Sequence, residues 1–525
     1  MKNAIKVKAD RVVGEIDPRI YGHFVENMAR CIYDGLLRNE RPGKPSGPWK
    51  LREEVVGWFR DLKPPVVRWP GGLYADGYNW RDGIGPLEAR PMRRNRYWSR
   101  YGPATRVMDP NAFGSDEFMR LSRQIGAEPY VNVNLGTGSA NEAARWVEYM
   151  NGGAETVEGR RRSEYGHELT YGVRTWGIGN EMYGFWALGH MPAEEYARRY
   201  LEFVDAMEEV DSDLELVAVG ADHYFSNTWN REVLSTAGDR VGLLSIHCYL
   251  PGMERIGGVA LTRLLKGGPG LYSAIVAAPL EFERRLGEAV QDIKAVMGER
   301  AEVRIAFDEW NLWWTPWQVQ VPRWTLRDAL FACGVFHALH RMSNWVSMAN
   351  VAQLVNVLGL ILTMGDRAVR TAMYYPFVLY SLAGPTRVQS TCECGSFDSP
   401  GAGGIPPISS VPYLDVSATL SGDGKALTVF VINRHPGEPV DCSLAIDGFS
   451  PAGTVEEHVL DGPSTTALNW FADEKVGITV SRRETGQVTP RCAFPAHSAT
   501  ALVFKKKAPP RKAAKKKATE KPAEE

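Results

Sequence analysis

Between about residues 18 and 370 one unit recurs eight times: a short apolar run that ends on polar residues, then a longer amphipathic stretch. The runs are RIYGHFVEN, PPVVRWPGG, AEPYVNVNLG, VRTWGIGNE, LELVAVGADHY, VGLLSIHCY, EVRIAFDEW and WVSMANVAQ. Stretches such as SDEFMRLSRQIG, PAEEYARRYLEFVDAMEEV and LEFERRLGEAVQDIKAVMG lie between them and carry the helical period. Strands alternating with helices imply βαβ units and a parallel sheet. Eight such units in about 350 residues predict a (β/α)8 TIM barrel with insertions, rather than an open sheet.

The polar ends of the runs sharpen this expectation. They are Glu26, Arg68, Asn132 and Asn134, Asn180 and Glu181, Asp222 and His223, His247 and Tyr249, Asp308 and Glu309, and Asn350 and Gln353. A barrel places all these ends on one C-terminal face, where such enzymes hold their active sites. One polar end marks only where a strand meets water. Eight ends carrying carboxylates, amides, His and Arg predict a convergent site.

After Thr391 the composition changes. CECGSFDSPGAGGIPPISS, rich in Gly, Pro and Ser, reads as a domain seam, and period-two strands follow in YLDVSATLSGDGKALTVFVINR, CSLAIDG and HSATALVFK. The expected organisation is a barrel over 18–370, an additional C-terminal all-β sandwich (jelly-roll-like) domain over 371–504, and an N-terminal segment, 1–17, that lends the latter one or two strands. Residues 505–525 hold nine Lys/Arg and three Glu in a low-complexity tail, expected to be disordered and solvated.

Bulk properties exclude several classes. Hydrophobic residues at 44% and charged residues at 23% exclude a mainly disordered chain, and a net charge of −1 gives no global pull toward nucleic acid or membrane. The most apolar segment, 346–365, contains Asn350, Gln353 and Asn356, which argue against a bilayer span. Seven scattered Cys make no disulfide framework, so a reducing, cytoplasmic location is expected. Sixteen Trp and twenty Tyr suit a large core, or a site that stacks on the flat faces of sugars.

The strongest chemical feature is a pair of strand-end carboxylates, Glu181 in WGIGNEMYGFW and Glu309 in IAFDEWNLWW, each beside Trp. Environment can separate two such pKa values, leaving one group an acid while the other stays ionised. Glycoside hydrolysis needs that division of labour. Through YGHFVENMARCIYDGL, VVRWPGGLYADGYNWRDGIGP, WGIGNEMYG, FDEWNLWW, ANVAQLVNVL and VPYLDVSATLSGDGKALTVFVINRH, the chain resembles the α-L-arabinofuranosidases of glycoside hydrolase family 51 over nearly everything except the tail. The resemblance implies a retaining exo-glycosidase that releases terminal α-L-arabinofuranosyl residues from arabinose-containing oligosaccharides. In it Glu181, after Asn180, is the acid/base and Glu309 the nucleophile.

The resemblance also implies supporting roles. Glu26 would bond sugar hydroxyls, and Arg68 would hold either the nucleophile or Glu26. Asn180 would bind the 2-hydroxyl, His247 and Tyr249 would orient the nucleophile or the acid/base, and Trp313 and Gln353 would wall the sugar pocket. It further implies a homo-oligomer, often a hexamer. Leu73 stands where the family often has Asn or Cys, so sugar selectivity is open, and the same chemistry on β-xylosides or β-glucans is the alternative. A non-catalytic carbohydrate-binding protein is disfavoured by the intact Glu181 and Glu309. No cofactor or metal is expected: GIGNEMYG and GTGSAN complete no dinucleotide fingerprint, and His337 with His340 lack a third ligand. Cys392-Glu-Cys394 reads as loop thiols. Trp314 and Trp317 either rim the entrance or pack.

Overall fold

The structure, a computed structural model, describes residues 3–40, 48–101, 107–252, 269–313, 319–402, 404–485 and 491–507. All eight expected runs form strands: Gly22–Phe24, Val66–Trp69, Glu128–Val133, Thr175–Ile178, Glu215–Val219, Leu243–Gly252, Arg304–Trp313 and Val346–Ala352. Each pairs in parallel with the next, and the eighth returns to the first through Asn350↔Gly22 and Ala352↔Phe24, closing the barrel. The amphipathic stretches form its outer helices, among them Ser115–Ile125, Ala193–Glu208 and Pro269–Met297. Gly126 ends the first of these at φ 75°, a left-handed cap that glycine adopts without strain. The apolar segment 346–365 supplies the eighth strand and a hairpin strand, Ile361–Met364, and among the described residues no helix is long and apolar enough to cross a membrane.

Strand alternation stacks the barrel interior in layers. Val66, Tyr130, Val217, Leu243, Ala306 and Met348, one from each of six strands, form a buried apolar cluster of their own. It plugs the barrel beneath the polar ends. Two residues further along the same strands, Arg68, Asn132, Ser245 and Asp308 point inward, while Val67, Val131, Leu244 and Phe307 between them join the larger core that faces the helices. The seventh strand breaks this alternation. Ser245 and His247 of the sixth strand oppose Ala306 and Glu309, so the seventh carries one extra residue there. That β-bulge turns the consecutive Asp308 and Glu309 both inward.

The strand Ala4–Glu15, which precedes the barrel in the chain, lies in a nine-stranded sheet between Thr386–Glu393 and Val440–Asp447. The sheet curls around a core that includes Val7, Val429, Leu444, Val455, Phe494 and Phe504. Its other face supplies Phe430, Ile432, Leu460 and Ala501 to the barrel's core. These strands are therefore apolar on both faces, one filling the β domain and one covering the barrel. Asp415 is the polar anchor of the seam, with Arg341 Nη1 at 3.0 Å, His337 Nδ1 at 3.2 Å and Arg434 Nη2 at 2.5 Å. His340 exchanges hydrogen bonds with Tyr21 Oη at 2.6 Å and Ser417 Oγ at 2.7 Å, so both helical histidines belong to this packed seam. Cys392 lies in the strand Thr386–Glu393 rather than in a loop, because its pairing with Ile5 extends the sheet to that point. Cys31, Cys248, Cys333 and Cys442 are buried among the core side chains. Trp314, Trp317 and the tail from 508 lie outside the described residues.

Candidate active site

At the C-terminal mouth of the barrel a small cavity of about 60 Å³ is lined by Glu26, Glu181, Tyr249, Glu309, Trp313 and Gln353, together with Phe24, Leu73, Trp98 and Leu358. Six of the nine residues expected in the site thus face one space. Of the other three, Arg68 bonds to Glu309, His247 to Glu181, and Asn180 to Arg68.

Arg68, 1% exposed, is the hub of that second layer. Its Nη1 donates to Glu309 Oε1 at 2.7 Å, its Nη2 donates to Asn180 Oδ1 at 2.7 Å, and its Nε lies 3.5 Å from Asp308 Oδ2. Of the two expected partners it takes Glu309, not Glu26. The planar fork suits such bridging, since its donors diverge at fixed angles. Tyr249 Oη donates to the other oxygen of Glu309, Oε2, at 2.9 Å. Asn180 Nδ2 is buried without a partner.

Glu181 follows the fourth strand with φ at 49°, a left-handed backbone that a non-glycine residue adopts at a cost of about 1–3 kcal/mol. Its Oε2 accepts from Trp186 Nε1 at 2.6 Å, and its Oε1 lies 2.9 Å from His247 Nδ1. His247 Nε2 is 3.1 Å from Ser245 Oγ, which donates to Asp308 Oδ1 at 2.6 Å. Glu26 accepts from Tyr74 N at 2.8 Å and Trp98 Nε1 at 2.7 Å on one oxygen, and from Gln353 Nε2 at 3.1 Å on the other. The RWPGG glycines permit this crowding. Gly71 has φ 143° with Glu26 against its backbone, and a Cβ on Gly72 would come within 2.7 Å of Glu309 Oε1.

Charges in the cluster set one another. Burial would lower the His247 pKa, but the Glu309 charge and the bonds to Asp308 and Glu181 outweigh it and raise it to about 10, so the ring is an imidazolium at neutral pH. Burial pushes Glu181 up, and the His247 hydrogen bond overcomes that and holds it below the ordinary range. Glu309 is raised, chiefly by burial, with the Glu181 charge adding to the effect. Asp308 is brought down to about 2, because Arg68 and His247 overcome its burial. Glu26 goes up to about 8 through burial and the Glu309 charge. Glu181, His247 and Glu309 each offer an atom within 4.8 Å of the others, close enough to hold a cation. A protonated His247, however, has no lone pair to offer one.

Residues 58–251 match the family model described as the α-L-arabinofuranosidase 1 domain, and residues 308–498 match the α-L-arabinofuranosidase C-terminal domain. A probable α-L-arabinofuranosidase C from Aspergillus clavatus is 34% identical over 523 residues, covering 96% of this chain and 97% of the relative. The chain belongs to the α-L-arabinofuranosidase family. An intracellular exo-α-(1→5)-L-arabinofuranosidase from Halalkalibacterium halodurans is 31% identical over 476 residues, 87% of this chain and 90% of its own. The solved structure of a thermostable GH51 α-L-arabinofuranosidase from Thermotoga petrophila superposes with a TM-score of 0.85 at 34% identity, covering 95% of this chain and 99% of the other.

Other members of this arabinofuranosidase site escaped the sequence reading. Trp98 opens the short 3-10 helix Trp98–Tyr101, with no strand end to flag it. Trp186 stands five residues after Glu181, in a block noticed only for its carboxylate. Not every polar strand end joins the site. Asp222 pairs with Arg285 Nη1 at 2.5 Å and His223 contacts Asp292 at 2.5 Å, so the fifth strand's end ties the barrel to the helix Pro269–Met297. Asn350 donates to His23 O at 2.8 Å and closes the barrel seam. Leu73 is half-buried and lines the cavity, rather than packing wholly beneath the glycine turn.

Proposed function

We propose that this protein is a retaining, exo-acting α-L-arabinofuranosidase in which Glu309 is the nucleophile and Glu181 the acid/base. The observation that carries the reading is the closeness of two differently supported carboxylates. An oxygen of Glu181 and one of Glu309 lie within 4.8 Å. Such a nearest-oxygen approach fits carboxyls about 5–5.5 Å apart, as in retaining enzymes, better than the roughly 6.5–9.5 Å by which inverting ones seat a water. The small cavity at the barrel mouth suits one terminal sugar, and family membership directs the glycone to arabinofuranose.

Arg68 and Tyr249 aim the Glu309 carboxylate at the anomeric carbon. As Glu309 forms its bond there, the bond to the leaving oxygen breaks, and Glu181 protonates that oxygen. The proton reaches Glu181 from His247 along their 2.9 Å hydrogen bond, which supplies an acid although Glu181 itself rests ionised. Water, deprotonated by Glu181, then displaces Glu309 and releases the sugar with its configuration retained. Asn180 Nδ2, buried with nothing to bond, is the donor left for the 2-hydroxyl, and such contacts strengthen as positive charge develops on the ring. Glu26, with Trp98 and Gln353, addresses the remaining hydroxyls.

One observation favours a second activity, some cleavage of β-xylosides. Leu73 puts an apolar wall into the pocket, and an apolar wall discriminates between sugars by only about 1–3 kcal/mol. A cytoplasmic location and a homo-oligomer, a hexamer by family resemblance, complete the proposal. The scatter of the seven cysteines, which builds no disulfide framework, and the similarity to an intracellular enzyme of Halalkalibacterium halodurans support the location. The test is a pair of variants. Glu309→Ala should abolish turnover on every substrate, since no glycosyl-enzyme forms. Glu181→Ala should retain much activity on substrates with good leaving groups and be rescued by azide. Equal losses for both variants on activated and unactivated substrates would refute the assignment.

A further inference from the structure

The Cys-Glu-Cys motif at 392–394 takes no part in the glycosidase chemistry. Cys392 is the last residue but one of the strand Thr386–Glu393, opposite Ile5, and Cys394 stands one residue past the strand's end. Alternate residues of an extended chain share a face. Here both cysteines pack against the β domain's core, while Thr391 and Glu393 are exposed. Both thiols are nevertheless half-exposed. The Cys394 sulfur accepts from Leu414 N at 3.4 Å. The other cysteines are placed differently. Cys442 and Cys492 oppose each other across two antiparallel strands, but each is 2% exposed. Cys442 Sγ donates to Ser443 O at 3.4 Å, and Cys492 Sγ accepts from Arg483 Nη2 at 3.1 Å. Cys31, Cys248 and Cys333 are buried in the barrel's core.

We propose that Cys392 and Cys394 are a peroxide-reactive dithiol that closes into a reversible disulfide. Their spacing allows the bond. Two steps along an extended strand separate the Cα atoms by about 6.4–6.8 Å, the wide end of the roughly 4.4–6.8 Å that disulfides span. Pairing with Ala4–Glu15 stops at Glu393, so no ladder bond to that strand stops Cys394 from drawing inward. A bond at that limit is strained, and strained, accessible disulfides are the readily reduced ones. Cys394 is the attacking sulfur. The Cys392 hydrogen bond, helped by the Leu414 amide, lowers its pKa to about 6. The same contact raises Cys392, which keeps its proton. The Cys394 thiolate attacks one peroxide oxygen, the O–O bond breaks, and the other oxygen leaves as water after taking a proton. Sulfur is thereby oxidised to a sulfenic acid. Cys392 sulfur then attacks Cys394 sulfur, the S–O bond breaks, and the hydroxide leaves as a second water with the Cys392 proton. Two equivalents of a small thiol, themselves oxidised to a disulfide, restore the pair. In a reducing compartment the dithiol rests reduced, so the bond forms only under oxidant.

The experiment treats the reduced full chain with hydrogen peroxide at neutral pH, blocks remaining thiols with N-ethylmaleimide, and maps the tryptic peptides by mass. Cys392 and Cys394 fall in one peptide, 388–425, that holds no other cysteine. That peptide should lose two hydrogens and both maleimide labels. It should do so roughly tenfold faster than Cys442 or Cys492 is modified, since reaction follows thiolate character and access. Dithiothreitol should restore both labels. Cys392→Ser should stop at a sulfenic acid on Cys394 that dimedone traps, and Cys394→Ser should leave Cys392 unoxidised. The wild-type map needs no variant to fold. A Cys442–Cys492 disulfide formed first would overturn the assignment. So would oxidation of the 388–425 peptide no faster than that of the buried thiols, or a bond from Cys394 to a second chain. Dimedone label on Cys392 in the Cys394→Ser protein at the wild-type rate would reverse the two roles and refute Cys394 as the attacking sulfur.

Discussion

Arg68→Met tests whether one buried cation assembles the site. The substitution keeps an unbranched side chain of similar reach but removes the bonds to Glu309 and Asn180, each 2.7 Å, and the charge 3.5 Å from Asp308. Two buried carboxylates on adjacent residues would then keep only the His247 imidazolium as a counter-charge. Breaking a buried pair in this way costs about 3–5 kcal/mol, so the urea midpoint should fall by that amount divided by the slope of unfolding. Losing a preorganised donor to a reacting group costs on the order of a hundred- to a thousandfold in rate, and kcat should fall accordingly. The pH profile moves in a defined direction. Arg68 pulls the pKa values of both Asp308 and Glu309 down, so without it Glu309 becomes a carboxylate only at higher pH, and the acid limb of kcat/KM shifts upward. Arg68→Lys should recover part of the stability and the limb, because charge returns, but little of the rate, because a compact ammonium lacks the rigid diverging fork that holds Glu309 and Asn180 in place. A Met variant within tenfold of wild type, with its acid limb unmoved, would refute the reasoning.

Leu73→Asn should raise the ratio of arabinofuranoside to β-xyloside kcat/KM by roughly tenfold, as a polar contact replaces an apolar wall; an unchanged ratio would show that Leu73 never meets substrate. Glu26→Gln bears on pH. Burial raises Glu26 to about 8, so the folded state holds a proton that the unfolded chain has already released above its ordinary carboxylate range. Stability from this group therefore falls as pH rises from about 4.5 to about 8, and the Gln variant should flatten that slope in melting temperature. Gln353 can turn its unpartnered Oε1 toward the new amide, so the variant keeps its contacts. Asp415→Ala should cost about 3–5 kcal/mol of stability by stranding the buried Arg434, while kcat on folded protein stays near wild type.

Much of the barrel was legible because its signal is periodic and repeated. Eight apolar runs with polar ends gave the strands, and the positions of Glu181 and Glu309 at the fourth and seventh strands followed from counting. What escaped depends on geometry with no local signature. The bulge that turns both Asp308 and Glu309 inward is one extra residue in a strand pairing, and nothing in FDEW announces it. Trp98 arrives from a short 3-10 helix outside the strand-helix repeat. The left-handed conformation of Glu181 belongs to a residue type that rarely adopts it. Asp222 and His223 looked like site residues because a strand-end carboxylate has the same sequence signature whether it meets substrate or an arginine on the next helix. The two-faced apolar strands of the β domain likewise became explicable only once one face was seen to cover the barrel.

The central claim is that Glu309 forms a covalent bond to the sugar. A 2-deoxy-2-fluoro arabinofuranosyl donor with a good leaving group slows both steps and holds the intermediate, and peptide mass spectrometry of the trapped protein locates the added mass. The sugar should be found on Glu309, with one equivalent bound and release restored by azide or water. Label on Glu181 or Glu26, or turnover by Glu309→Gln at an appreciable fraction of the wild-type rate, would contradict it.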